Sequence, residues 1–127
     1  MMLAQDTADS ATVVRHGQWV VKRIDPAAWE ARWRMDVDEQ MTARATESQR
    51  WPLVVRHFWF PGQSAVVRRF VEGRIATISE CEATLRMCAA QGRLSYLRDV
   101  RRWNLIVDRR GRVWLIDFWI DPTEWVA

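Results

Sequence analysis

Apolar pairs and triplets interrupt polar positions at Val13-Val14 and at Trp19-Val20-Val21, β-rich runs that predict strands near 12–16 and 18–24, with His16-Gly17 placed to turn a hairpin between them. Asp25-Pro26 then reads as an N-cap followed by a first helical residue. Trp29, Trp33, Val37 and Met41 recur at every fourth position, which predicts one helix with an apolar stripe running to about Ser48. Trp51-Pro52 breaks that pattern. A strand is expected over 53–60, a turn at Pro61-Gly62-Gln63, a strand over 64–71 and a short helix from about Ser79 to Gln91. Near the C-terminus, Asn104-Leu105-Ile106-Val107 is a strand, Asp108-Arg109-Arg110-Gly111 a turn, and Arg112 to Phe118 the returning strand. Alternation on that strand puts Val113, Leu115 and Asp117 on one face and Trp114, Ile116 and Phe118 on the other, so Asp117 ends an apolar row. Residues 1–10 are polar and are expected to fray. The fold class is α+β, with no internal repeat.

The chemistry in this chain is concentrated in Leu97-Arg98-Asp99-Val100-Arg101-Arg102-Trp103-Asn104 and in Asp117-Phe118. An Asp and an Asn five apart on a loop can face one pocket, and a hairpin can return a second Asp beside them. Three hard oxygen donors then converge, which suits a Mg²⁺ ion completed by phosphate oxygens and water. Order and spacing together resemble the protein-kinase-like superfamily, whose pattern is H-R-D, four residues, N, a β-hairpin, then D-F-G. The nearest type is that of the small-molecule and lipopolysaccharide kinases.

That resemblance implies a kinase-like N-terminal lobe over residues 11–71, with an antiparallel sheet and one long helix, and a hinge with a much reduced C-terminal lobe over 72–127. It also implies roles. Asp99 would orient an acceptor hydroxyl and take its proton, Arg101 would sit near the γ-phosphate of ATP, with Arg102 supporting it, and Asn104 and Asp117 would ligate Mg²⁺. Lys22, in the β-rich segment Gln18 to Ile24, matches the lysine that contacts the α and β phosphates, and Glu39, seventeen residues on, would pair with it. Phe70, Val71 and Glu72, followed by Gly73, resemble the hinge that offers backbone groups to adenine. MgATP would lie between Lys22 and the Asp99, Asn104 and Asp117 group, and its γ-phosphate would pass to an unidentified hydroxyl.

The chain departs from the family pattern at defined points. Leu97 replaces His and Trp119 replaces the glycine of D-F-G, no glycine-rich phosphate loop accompanies Gly17, and eight residues follow Trp119. An acceptor surface is therefore expected from a second chain or from a homodimer. Two other readings stay open: a nucleotide-binding pseudokinase acting as a regulatory subunit, and a basic module in which Arg98, Arg101, Arg102, Arg109, Arg110 and Arg112 contact nucleic-acid phosphates. The last leaves the acidic arrangement without a role and ranks below the others.

Composition sharpens one of these roles. Of 19 basic residues eighteen are Arg, so Lys22 is the sole ammonium of the chain, a compact point charge where a planar guanidinium would serve differently. At 127 residues with 49% hydrophobic and 28% charged positions the chain can bury a core, and a net charge of +3 is compatible with an anionic ligand without requiring one. Nine tryptophans point to aromatic packing and to covered surfaces. Cys81 and Cys88 fall seven apart on a predicted helix, about 10 Å at 1.5 Å per residue, too far for a disulfide. With no signal-like N-terminus and no long apolar run, a cytoplasmic protein without a membrane span is expected.

Overall fold

The computed structural model describes residues 11–125. Strand β1 (Ala11–His16) turns through Gly17, whose φ of +61° belongs to the left-handed region that glycine enters freely, into β2 (Trp19–Ile24). Strands β3 (His57–Phe60) and β4 (Ala65–Arg69) complete an antiparallel sheet of order β1-β2-β4-β3. Val20, Lys22 and Ile24 alternate onto its inner face with Val13, Val66, Arg68 and His57.

The single predicted helix is two. Helix α1 (Pro26–Trp33) starts on the Asp25 carboxylate, which accepts from the Ala28 amide at 3.3 Å, and stops at Arg34 in a left-handed conformation. Asp36 then caps helix α2 (Val37–Arg50) by accepting from the Glu39 amide at 3.1 Å. Val37, Gln40, Met41, Arg44, Glu47 and Ser48 form its buried face, and the Ser48 hydroxyl receives the His57 amide at 2.9 Å. Trp29 is fully buried and Trp33 half-buried.

The chain divides into two contact units, the first ending at Arg50 and resuming over Arg56–Phe70, the second made of Trp51–Val55 and everything from Val71. The expected strand over 53–60 is thus split between them. Only His57–Phe60 joins the first sheet, whereas Leu53 and Val55 bond across Leu115 at 3.0 Å each. The turn at Pro61–Gln63 is a single 3-10 turn.

In the second unit β5 (Arg74–Ile75), β7 (Leu105–Val107) and β8 (Val113–Leu115) form an antiparallel sheet of order β5-β7-β8. Strand β6 (Leu97–Arg98) pairs antiparallel with β9 (Trp119–Ile120) in a separate ribbon. Helix α3 (Ile78–Ala90) begins with a capping box between Thr77 and Glu80, the strongest local helix-start signal in the sequence. Its cysteines are free and buried, and burial pushes the Cys88 thiol up to about 11. Leu97, Leu105, Leu115, Ile116, Phe118 and Ile120 make the core of this unit. Regular strand ends at Leu115, so the expected alternation to Phe118 fails, and Leu115 and Ile116 are both buried. Among the described residues the architecture is α+β, with antiparallel sheets and three α-helices.

Candidate functional site

Two ribbons meet at Asn104. The β7–β8 register is continued one step when the Ile116 amide donates to the Asn104 carbonyl at 2.9 Å, which sets Asn104 across from the residue preceding Asp117. Toward the other ribbon, Asn104 Nδ2 donates to the Asp99 carbonyl at 2.9 Å and to Asp99 Oδ2 at 3.2 Å. Asp99 directly follows β6, and Asp117-Phe118 directly precedes β9, its antiparallel partner. Asn104 therefore joins the loop bearing Asp99, through its side-chain amide, to the residue before Asp117, through its main-chain carbonyl.

Asp99 adopts a φ of +66°, a left-handed conformation that Asp tolerates better than most side chains, and Asn104 holds it there through the carbonyl bond. Arg101 Nε pairs with Asp99 Oδ1 at 2.9 Å. Asp117 is half-buried, its Oδ1 accepts from the Phe118 amide at 2.8 Å, and the fully buried Phe118 ring fixes its backbone. Leu97, standing where the family pattern has His, is buried as Phe118 is, so both flanks of the ribbon are fastened by apolar packing.

Two hard oxygen donors here are of the kind that could serve a cation. With Nδ2 turned to Asp99, Asn104 presents Oδ1, and Asp117 contributes a carboxylate. No group of three or more His, Cys, Asp or Glu that could hold a metal occurs among the described residues, so a cation here would depend on phosphate oxygens and water for the rest of its shell.

In the first unit Lys22 is buried, with Val13 and Val66 as its strand neighbours. Glu39 does not share that environment: it is exposed in the first turn of α2. Glu47 is the only carboxylate in the buried set of described residues, against the buried cations Lys22, Arg44 and Arg68. Helical geometry explains the correction. Glu39 lies about 200° round the helix from Val37, whereas Glu47 lies about 80° from it, on the face that α2 buries.

The hinge-like residues divide. The Phe70 amide is already bonded to the Gln18 carbonyl at 2.6 Å, and Arg15 lies 3.6 Å above its ring. Val71 is half-buried, and Glu72 is exposed in a surface pair with Arg109 at 3.1 Å. Of the six arginines in the basic segment, five have local work. Arg98 donates to the Leu94, Ser95 and Leu97 carbonyls and to Asp121, Arg101 pairs with Asp99, Arg102 binds the Ala76 carbonyl, Arg109 pairs with Glu72, and Arg112 binds the Pro52 carbonyl. Those contacts hold loops together and count against a phosphate-binding comb.

No helix among the described residues is long and apolar enough to cross a membrane. No protein-family model matches the chain, and neither a curated protein nor a solved structure shows significant similarity to it.

Proposed function

We propose that the chain is a kinase-like phosphotransferase that uses MgATP, with Asp117 and Asn104 as the protein ligands of the metal and Asp99 as the group that orients the acceptor hydroxyl. The observation that carries this reading is the Asn104 side chain, bonded to Asp99 while its main chain pairs with the residue before Asp117. Bound Mg²⁺ would neutralise phosphate charge as it develops during transfer. Asp99, paired with Arg101, accepts the proton of the acceptor hydroxyl, and the largely exposed Arg101 side chain is the cation for the transferred group. Lys22 supplies the ammonium for the nonreacting phosphates, and Glu47 replaces Glu39 as the carboxylate assigned to it. Nucleotide and Mg²⁺ are the implied ligands, and an acceptor-binding surface on a partner chain or a second copy belongs to the same reading.

A nucleotide-binding pseudokinase is favoured by one specific observation: both carboxylate oxygens of Asp99 already have partners, Arg101 on Oδ1 and Asn104 on Oδ2. Thermal melting with and without MgATP tests the binding step. Saturation at a hundredfold excess over Kd should stabilise the fold by about 2.7 kcal/mol, and Asp117→Asn should abolish the gain. Asp99→Asn, which keeps the left-handed conformation accessible, should preserve binding while eliminating ATP turnover. Binding without turnover in the unsubstituted chain selects the pseudokinase, and absence of any MgATP-dependent shift rejects both readings.

A further inference from the structure

Ladder register defines the outer face of the four-stranded sheet, the face turned away from Val20, Lys22 and Ile24. Three cross-strand rows cover it: His16, Trp19 and Arg69; Val14, Val21, Val67 and Phe58; Thr12, Arg23, Ala65 and Phe60. Its aromatic members are open to solvent, Trp19 at 41%, Phe58 at 37% and Phe60 at 46%. Large rings seldom remain bare on a folded surface without a partner. Guanidinium groups lie over two of them, Arg69 at 5.1 Å from the Trp19 ring and Arg56 at 4.9 Å from the Phe58 ring. The four strands contain Arg15, Lys22, Arg23, Arg68 and Arg69 and not one Asp or Glu.

From this face we infer a binding platform for single-stranded nucleic acid, with bases stacking on Phe58, Phe60 and Trp19 and phosphates meeting Arg23, Arg56 and Arg69. Charge decides the class of partner. A wholly cationic strand set with exposed rings complements a polymer that is anionic along its backbone and aromatic along its side, which is the recognised combination for binding single strands without reading sequence. Spacing decides the strandedness. Phe58 and Phe60 point the same way two residues apart, about 7 Å. That is about twice the 3.4 Å rise of stacked bases, so the rings accept bases from an extended strand and not from a duplex. This platform is separate from the Asp99 loop and from the arginines engaged there.

Fluorescence anisotropy of a labelled oligo-uridine with the full chain tests the inference. Binding is expected, with the same oligonucleotide in a duplex held far more weakly. Phe58→Ala and Phe60→Ala should each weaken binding on the order of tenfold, Phe60→Tyr should restore it, and Asp117→Asn should leave it unchanged. Arg23→Glu should lower the slope of log affinity against log salt by about 0.7. Circular dichroism establishes that each variant is folded. Absence of binding, equal binding to duplex, or indifference to Phe60→Ala in a folded variant overturns the platform. So does loss, in the same variants, of vesicle binding or self-association when the oligonucleotide itself does not bind.

Discussion

Gly73→Ala isolates the packing that brings the segment after Phe70 against the second unit's sheet. Gly73 precedes β5, and its conformation is open to any residue; what it lacks is room. A Cβ built there would overlap the Val107 carbonyl oxygen and come within 2.8 Å of the Val107 carbonyl carbon and 3.0 Å of Ile106 Cγ2. Backbone, not a flexible side-chain end, is the obstacle, so β5 must move off β7. The pairing of Arg74 with Val107 and of Ile75 with Ile106 goes with it, as does the bond from the Ala76 amide to the Leu105 carbonyl at 2.9 Å. Overpacking of this kind costs about 1–3 kcal/mol. At ~2.1 cal/mol/K of unfolding entropy per residue, a chain of 127 residues loses about 4–11 °C in melting temperature. Gly62→Ala is the control, since no atom lies within 4 Å of the added Cβ, and its effect should stay within about 0.5 kcal/mol. Thermal melting followed by circular dichroism gives the magnitude, and amide exchange at Ala76 gives the location. A Gly73→Ala protein that melts with the unsubstituted chain and keeps Ala76 protected would refute the steric argument.

Two other perturbations separate buried from exposed charge. Glu47→Gln removes the one carboxylate buried among the described residues, where Lys22, Arg44 and Arg68 are the buried cations, and should cost about 3 kcal/mol or more in urea denaturation; Glu39→Gln, on the exposed first turn, should change stability by less than about 0.5 kcal/mol. Equal effects of the two would remove Glu47 from its assigned role. The Glu80 carboxyl is held down to about 2, first by its hydrogen bonds from Arg74 and then by the Thr77 amide. A lowered folded-state value means that its contribution is complete above the ordinary value of 4.5 and fades as pH falls toward about 2. Melting temperatures across that interval should fall less steeply in Glu80→Gln than in the unsubstituted chain, and parallel curves would contradict the assignment.

Elements whose ends are written locally could be read from the chain alone. The β1–β2 hairpin has Gly17 at its turn, α3 has Thr77 and Glu80, and the β7–β8 hairpin has Asp108, whose carboxylate accepts from the Arg110 and Arg112 amides at 2.9 Å each. The break between α1 and α2 is different, because an Arg in a left-handed conformation carries no local signature. Asp36 followed by Glu39 three residues later was the available signal, and a continuous apolar stripe from Trp29 to Met41 overrode it. The division of residues 53–60 had no local cue at all. Leu53 and Val55 leave the first sheet because Leu115 offers them an edge, and that edge exists only once β8 has formed.

The candidate site repeats this contrast on a smaller scale. The five-residue spacing of Asp99 and Asn104 let both be read onto one loop, and their side chains do bond there at 3.2 Å. Spacing could not tell how they are joined. The join is made by Asn104, whose carbonyl extends the β7–β8 ladder and whose amide holds Asp99 in a conformation that a loop residue would otherwise leave. The Asp99 loop is thereby tied to the hairpin, with β6 pairing with β9 on its other side and Phe118 fully buried. Two short ribbons of two and three residues per strand are each marginal alone. Asn104 stands at their junction, its side chain on the Asp99 loop and its carbonyl on the Ile116 amide, so the order of either ribbon depends on the other.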